Sequence, residues 1–398
     1  MFEKELDGLR QKGLLREVAD RTGRQVPTIR VGGRELVNFS SNDYLGLSAS
    51  RGLALAAAGA AGDHGAGAGS ARLLSGGTVL HRELEEKAAS FTGAAAALLF
   101  NSGYHANTGA VPALAGPECV IFSDELNHAS IIDGCRLSRA KTVIFRHADA
   151  GHLEGLLRAE RPKSKRALIV TESVFSMDGD IAPLDAITDL SARFGADLYV
   201  DDAHAFGVLG KGKGGLAHFG LDRGENSGNG GPAIIRMCTF SKALGSYGAF
   251  VASEKGVIEW LKNTARTFVF STALPPSVAG ASLAALEVLG SPEGLSLVEK
   301  LQGNIRHVRE GLAGAGGPCF PGKAGADGSP IVPVLLNGVD EALRASRRLF
   351  DAGFYVPAIR PPTVRTPRLR LQVSAAHGAH DIDSLLAALA LVQNGKTA

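Results

Sequence analysis

The sequence predicts an α/β protein, with a large domain built on a mostly parallel sheet and a smaller α+β domain at the C-terminal end. Two observations lead to this prediction. From about residue 93, short apolar runs alternate with helix-length segments, and beyond residues 290–292 a long helical segment leads to two strand-like runs. Continuous apolar strands separated by helices are typical of a parallel sheet that is covered on both faces.

The N-terminal segment, residues 1–48, is predicted to hold one helix and a short β region. Leucines and a valine at helical spacing predict an amphipathic helix from Phe2 to about Val18. A β-like stretch follows over Val26–Phe39. Gly32 and Gly33 separate its two runs, as the turn of a hairpin would.

The large domain, residues 49–290, is predicted to carry the parallel sheet. Its predicted strands are Ala95–Phe100, Val120–Phe122, Val143–Phe145, Ala167–Thr171, Leu198–Val200 and Ile234–Thr239. Each run ends in polar residues, and ligands of open α/β sheets bind beyond the carboxyl ends of the strands. We therefore expect the functional site at those ends. Gly224–Gly231 is predicted to be a surface loop.

The smaller domain, residues 291–398, is predicted to begin with a helix and to contain strands near Ile331–Leu336 and Leu369–Val373. No repeat of fixed period divides the chain. The sequence therefore predicts one large catalytic domain and one smaller domain in the same chain.

The composition argues against several classes of function. The chain has 398 residues, of which 45% are hydrophobic, and a formal net charge of +2. This balance is not typical of proteins devoted to nucleic acids or membrane surfaces. No CxxC pair occurs among the cysteines, which indicates reduced thiols instead of a disulfide framework or a zinc site: Cys119, Cys135, Cys238 and Cys319. With no signal-peptide pattern and no apolar run of about 18 residues, we expect a cytoplasmic protein without a metal.

Five strand-end positions carry groups that could serve one shared site. Lys242 follows a buried run, and desolvation of its ammonium favours Schiff-base formation and proton abstraction. Asp201 could pair with a protonated pyridine nitrogen, while His204 could bind a phenolic oxygen or a reacting carbonyl. His128 offers a flat ring for stacking, and the backbone of Ser102–Gly103–Tyr104 at a helix start suits a phosphate. Together these groups predict a site for pyridoxal phosphate (PLP).

Three ordered motifs resemble those of the α-oxoamine synthases. They are the runs Thr171–Asp180, Val200–His204 and Thr239–Gly245, and the resemblance extends from Ser40–Leu47 to the C-terminal region. Members of that family are fold-type I PLP enzymes, which condense an amino acid with an acyl thioester and lose CO₂. The resemblance implies the PLP-dependent aminotransferase-like fold and PLP bound to Lys242.

The resemblance also implies roles for individual residues. Lys242 holds PLP and then acts as the base, Asp201 pairs with the pyridinium nitrogen, and His204 contacts the phenolic oxygen. The further cofactor contacts that it implies are His128, Ser102, Gly103, Tyr104, Ser176 and Thr239, with Thr272 from a neighbouring subunit. The implied substrate contacts are Arg370 and Asn42 for the amino-acid carboxylate, Glu172 near the reacting carbon, and Arg360 for the far carboxylate of the acyl chain.

The implied partners are two substrates and a second copy of the chain. The segments Phe270–Pro276, Ala358–Val364 and Arg368–Leu371 resemble the member of the family that uses L-alanine and a pimeloyl thioester, carried by CoA or by a carrier protein. A homodimer with its active site at the subunit interface is expected. The alternative within the family joins glycine to acetyl-CoA, or uses another amino acid and acyl-CoA.

Departures from the family pattern occur at Ala205–Phe206, Arg365–Pro367 and Gly65–Arg72. The bulky Phe206 is expected to reshape the pocket wall. Gly65–Gly69 also permits a rival interpretation as the phosphate loop of an NAD-dependent oxidoreductase, but it precedes the strands instead of following one, which favours a turn-forming loop. A regulator that keeps the fold without catalysis is the third possibility.

Overall fold

The computed structural model describes residues 1–222, 231–314 and 328–393. Cys319 and the Gly224–Gly231 stretch, apart from its last residue, lie outside the described residues. None of the described helices combines the length and the apolar character that a membrane span requires.

The chain divides into two compact units. The smaller unit consists of Met1–Ala49, Met177–Asp180 and Glu299–Ala398, and the larger of Ser50–Ser176 and Ile181–Val298. The predicted ranges 1–48, 49–290 and 291–398 stay a prediction. The units differ from them in grouping the N-terminal residues with the C-terminal ones.

Helices and strands alternate through most of the described chain. The α-helices are α1 (Glu3–Gln11), α2 (Arg51–His64), α3 (Val79–Thr92), α4 (Gly103–Leu114), α5 (Ala129–Leu137), α6 (Ala150–Glu160), α7 (Leu184–Phe194), α8 (Gly215–His218), α9 (Lys255–Thr264), α10 (Arg266–Val269), α11 (Pro276–Leu289), α12 (Pro292–Gly314), α13 (Val339–Asp351) and α14 (Ala379–Gln393). The strands are β1 (Arg21–Thr22), β2 (Thr28–Val31), β3 (Arg34–Asn38), β4 (Ala96–Phe100), β5 (Cys119–Asp124), β6 (Lys141–Phe145), β7 (Arg166–Glu172), β8 (Asp197–Asp201), β9 (Ile234–Thr239), β10 (Ala249–Ser253), β11 (Ile331–Leu335), β12 (Phe354–Tyr355), β13 (Ala358–Ile359) and β14 (Arg368–Gln372).

The larger unit is built on a seven-stranded sheet in the order β4-β10-β9-β8-β7-β5-β6. The neighbours from β9 to β6 pair in parallel, whereas β10 is antiparallel to both β9 and β4. The predicted α/β class with a mostly parallel central sheet is confirmed. Strand β10 was not predicted from sequence, because its short run follows β9 after a tight turn that includes Gly245 and Gly248, both with positive φ.

Two apolar cores cover the faces of this sheet. Alternate residues of a strand point to opposite faces. On β5, Cys119 and Ile121 belong to a core shared with α4, α5 and α9, while Val120 and Phe122 belong to a core shared with α6 and α7. Burial on both faces explains why the strands read as continuous apolar runs.

The smaller unit contains two sheets, in the orders β1-β2-β3-β12 and β11-β14-β13. The predicted hairpin is present, with Gly32 and Gly33 at positive φ between β2 and β3. Helix α1 ends at Gln11, seven residues before the predicted end at Val18. Gly13 follows with φ +64°, a left-handed conformation that glycine adopts readily and that ends a helix.

Candidate active site

The carboxyl ends of β7, β8 and β9 border one cavity of about 200 Å³ in the larger unit. Its lining includes these residues predicted from sequence: Ser102, Gly103, Tyr104, His128, Glu172, Asp201, His204, Thr239 and Lys242. Two predicted residues of the same unit, Ser176 and Thr272, do not line it. Asn42, Arg360 and Arg370 belong to the smaller unit.

Asp201 is a buried carboxylate held by neutral donors. It ends β8 and is 5% exposed. Its Oδ2 accepts a hydrogen bond from Asn107 Nδ2 at 2.8 Å, and its Oδ1 accepts one from the backbone N–H of Ala203 at 3.0 Å. Burial of a charge is costly unless it is bonded or paired, so this carboxylate suits a cationic group in the cavity.

Asn107 connects Asp201 with two further side chains. Its Nδ2 also donates to Ser130 Oγ at 2.9 Å, and its Oδ1 accepts from the hydroxyl of Tyr199 at 2.9 Å. Sequence reasoning missed all three of Asn107, Ser130 and Tyr199. The available signal was a polar residue in the largely apolar helix α4, directly after Ala106 and three residues before Ala110.

Asp202 follows Asp201 directly but has a different environment. Its Oδ2 accepts from Arg236 Nε at 2.7 Å, and both side chains are buried. Gly214 lies against this ion pair at φ +102°, where a Cβ atom would come within 2.1 Å of both Arg236 Nη2 and Asp202 Oδ2. The pair is therefore part of the packed interior, and of the two adjacent carboxylates only Asp201 lines the cavity.

Glu172 is a second buried carboxyl group beside Asp201. The two residues are direct partners in the β7–β8 ladder. Burial, and then the charge of Asp201, raise the pKa of Glu172 well above its ordinary value, while Lys242 acts in the opposite direction. Glu172 Oε1 is buried and has no hydrogen-bond partner among the described residues. The arrangement favours the protonated form of Glu172.

His128 is the N-cap residue of α5. Its Nδ1 lies 2.7 Å from Ser130 Oγ and also accepts from the Ser130 backbone N–H. Burial lowers the pKa of His128, with Asp201 opposing the shift and Lys242 adding to it. The ring is therefore held in a fixed orientation and favours its neutral form.

Lys242 lies on the tight turn between β9 and β10. The backbone N–H of Gly245 donates to the Lys242 carbonyl at 2.9 Å. Thr239 Oγ1 ties the start of the turn to its end by donating to the Gly248 carbonyl at 2.8 Å. The charge of Lys242 influences the pKa of both His128 and Glu172, which places its ammonium in the same electrostatic environment.

The N-terminus of α4 forms another side of the cavity. Ser102 caps the helix, with its Oγ accepting from the backbone N–H of His105 at 3.2 Å. The first N–H groups of a helix have no intrahelical partner and attract anions. Gly103 and Tyr104 hold such positions. This helix start can therefore bind a phosphate.

A separate polar cluster occupies the smaller unit around Asn42. Asn42 Oδ1 accepts from Tyr44 Oη at 3.0 Å and from Gln372 Nε2 at 2.5 Å, and it lies 3.5 Å from Arg370 Nη1. Burial raises the pKa of Tyr44 to about 12, although Arg370 opposes the shift. The structure thus brings Asn42 and Arg370 together. Tyr44 and Gln372 were not predicted as members of this cluster.

The structure also shows the surroundings of two further residues that were considered from sequence. Arg360 donates to the backbone carbonyls of Gly13 at 2.7 Å and Leu15 at 2.6 Å, so it holds the segment after α1. The expectation that Phe206 forms the pocket wall is wrong for this cavity. Its ring is 1% exposed and packs edge-on against Phe91 and Phe250, because the chain after β8 turns this side chain into the core.

The glycine-rich stretch Gly65–Gly69 follows α2 and does not follow a strand. A dinucleotide-binding loop lies between a strand and a helix. This position disfavours the oxidoreductase interpretation.

Comparison with known proteins adds an independent set of findings. Residues 34–389 match the family model described as aminotransferase class I and II. An 8-amino-7-oxononanoate synthase of Anaeromyxobacter dehalogenans is 48% identical over 98% of this chain and 94% of that protein. One of Geobacter sulfurreducens is 45% identical over 98% of this chain and 96% of that protein. A solved variant of serine palmitoyltransferase from S. paucimobilis, with a bound PLP–myriocin aldimine, has a TM-score of 0.90 at 29% identity, covering 99% of this chain and 98% of that one.

Proposed function

The chain belongs to the aminotransferase class I and II family, and from that premise we propose that it is a PLP-dependent acyltransferase. It joins L-alanine to a pimeloyl thioester and gives 8-amino-7-oxononanoate, CO₂ and the free thiol, a step of biotin biosynthesis. The observation that carries the proposal is the meeting of Lys242 with Asp201, His128 and Glu172 in one cavity. Relatives with this activity in their names align over nearly the whole chain.

The residues of the cavity fit PLP. The cofactor needs an amine, an anion site for its phosphate and a carboxylate for its ring nitrogen, and Lys242, the start of α4 and Asp201 supply them. The buried Glu172 Oε1 without a partner among the described residues indicates that the cavity receives a polar ligand. When bound, PLP supplies an electron-withdrawing ring that stabilises negative charge at the α-carbon of the amino acid.

The chain's own residues then bind, orient and move a proton. Lys242 Nζ removes the proton from the α-carbon of L-alanine, a step that needs the neutral amine. Arg370 and Asn42 bind the carboxylate and so select which bond of the α-carbon reacts. His204 donates a hydrogen bond to the oxygen of the reacting carbonyl group.

The bond changes balance without a further reagent. A bond forms between the α-carbon and the thioester carbonyl carbon, and the C–S bond breaks to release the thiol. The carboxylate carbon then leaves as CO₂, and its bonding electron pair stays on the α-carbon. The proton that Lys242 removed goes to the departing sulfur, and the α-carbon takes up a proton from solvent. Glu172 remains protonated beside the reacting atoms and limits the negative charge there.

One assay tests the chemistry. Purified protein with PLP should show a visible absorbance band that borohydride removes and that Lys242→Ala lacks. Amino-acid-dependent release of CoA should be fastest with L-alanine and pimeloyl-CoA in a grid of L-alanine, glycine and L-serine against pimeloyl-, acetyl- and palmitoyl-CoA. A colourless protein that binds a nicotinamide cofactor would disprove the proposal, and PLP binding without turnover would indicate a regulator.

A second candidate remains within the same chemistry. The likeness to a serine palmitoyltransferase favours another α-oxoamine synthase, with glycine C-acetyltransferase as the simplest case. Preference for glycine with acetyl-CoA, or for L-serine with palmitoyl-CoA, in the same grid would establish it. Replacing pimeloyl-CoA by the pimeloyl carrier protein decides between the two donors.

We also propose that the protein is a cytoplasmic homodimer whose active site lies at the subunit interface. Thr272 lies outside the cavity of its own chain, in a pocket with Arg72 and Asn101, and so can serve a neighbouring copy. The buried free thiols Cys119 and Cys135 suit a reducing compartment. Sedimentation should show a dimer. Thr272→Ala should weaken PLP binding and leave the dimer intact. A monomer with full activity would refute the dimer.

A further inference from the structure

We infer that Asn107 is a positioning residue, which holds the Asp201 carboxylate and the His128 ring in one hydrogen-bonded unit; the inference rests on the proposed function. Asn107 is 1% exposed and makes three side-chain hydrogen bonds, to Asp201, Ser130 and Tyr199. Asn107 therefore acts on the cofactor site through Asp201 and Ser130, while Tyr199 holds the Asn107 amide itself.

Chemistry determines the orientation of the Asn107 amide. Asp201 can only accept hydrogen bonds while it is ionised, so the NH₂ group must face it. The hydroxyl of Tyr199, which burial keeps protonated by raising its pKa well above the ordinary value, donates to Oδ1 from the other side. A flipped amide would set Oδ1 against the carboxylate, so that two acceptors face each other.

The same amide also determines the proton pattern at His128. Ser130 Oγ accepts from Asn107 Nδ2, which leaves the hydroxyl proton of Ser130 to be donated to His128 Nδ1 at 2.7 Å. A neutral His128 that accepts at Nδ1 carries its proton on Nε2. Asn107 thus links two groups that reach the cofactor, the carboxylate for the ring nitrogen and the imidazole for the ring face.

A substitution at Tyr199 provides the sharpest test, because its hydroxyl donates to Asn107 Oδ1 at 2.9 Å and the change to phenylalanine removes that hydroxyl without altering the ring. Asn107→Leu keeps the shape and removes all three bonds. Loss of a hydrogen bond to a charged group corresponds to about a ten- to hundredfold weaker binding of PLP by the apoenzyme. Tyr199→Phe should weaken it about threefold in the wild type and not at all in the Asn107→Leu background.

The experiment measures the PLP dissociation constant by equilibrium dialysis and the visible circular dichroism of bound PLP, which reports ring orientation. Ser191→Ala is the control, since it removes a buried serine bond, 2.6 Å to the Ala196 carbonyl, away from the cavity. It should leave both the constant and the dichroic band unchanged. Thermal unfolding of each apoenzyme checks that the variants are folded.

The outcomes separate the inference from the function on which it rests. A weaker constant, an altered dichroic band in Asn107→Leu and the absence of an added Tyr199→Phe effect support the inference. Wild-type binding and an unchanged band in Asn107→Leu, or additive effects of the two substitutions, overturn it while the proposed function stands. Failure of the folded wild-type protein to bind PLP overturns the proposed function and the inference with it.

Discussion

Replacing Glu172 by glutamine should remove a pH-dependent instability from the larger unit. The carboxyl group is 2% exposed, is the ladder partner of Asp201, and has one oxygen without a partner among the described residues. Burial and the charge of Asp201 raise its pKa well above the ordinary value, against the effect of Lys242. The folded protein therefore keeps a proton on Glu172 that the unfolded chain releases.

The sign and the size of the effect follow from that difference in bound protons. For a carboxyl group with a raised pKa, stability is greatest below the ordinary value of 4.5 and is lost as the pH rises toward the folded pKa. The loss amounts to at most about 1.4 kcal/mol per pH unit. Glutamine does not titrate, so the stability of the variant relative to the wild type should rise with pH above that value, at no more than this rate.

Urea unfolding at several pH values measures this difference. The apoprotein is used, so that cofactor binding does not alter the proton count, and midpoints are compared at equal slope. Glu293→Gln, the same substitution at an exposed position, is the matched control. Plots of its unfolding free energy against pH should run parallel to those of the wild type. Parallel curves for Glu172→Gln as well would refute the assignment of a proton to Glu172 in the folded protein.

Three further predictions test other parts of the structure. Gly214→Ala should lower the free energy of unfolding, measured in urea, by about 3–5 kcal/mol, because its Cβ would come within 2.1 Å of the buried ion pair. Its control, Gly220→Ala, is also at positive φ but has open space around it, and should cost only about 1–2 kcal/mol. Equal losses would contradict a steric clash between the Gly214→Ala methyl group and the ion pair. Phe206→Leu should lower the free energy of unfolding by about 1–2 kcal/mol and leave the acyl-CoA preference unchanged, since the ring lies in the core. A changed preference would indicate that Phe206 does shape the substrate pocket. Arg360→Ala should speed amide hydrogen exchange in the segment after α1, and unchanged exchange with a raised KM for pimeloyl-CoA would favour a substrate role instead.

Much of the sheet could be predicted from sequence because its strands are buried on both faces. The run Ile234–Thr239 is apolar apart from Arg236, which pairs with Asp202 inside the protein, and its polar end points to the site. Strand β10 was missed, because a five-residue run after a turn has no pattern of its own. Its place in the sheet comes from pairing with β4, which lies far away in the sequence.

The candidate site was predictable only where a residue acts by its own chemistry. Lys242 and Asp201 stand at strand ends and carry the charges that the chemistry needs. Asn107 acts through Asp201 and Ser130, and no local pattern relates residues on different elements. Phe206 was misplaced for a similar reason, since its direction depends on the chain after β8 and on the rings of α3 and β10.

The position of β10 has a consequence for how the protein is made. Ala96 on β4 pairs with Ser253 on β10, 157 residues later in the chain. Contacts between such distant segments form slowly, because a long loop must close first. During synthesis the edge strand β4 therefore keeps its backbone groups unpaired until β10, which follows the Lys242 turn, has been made. We expect this interval to be the stage at which the nascent chain depends most on chaperones.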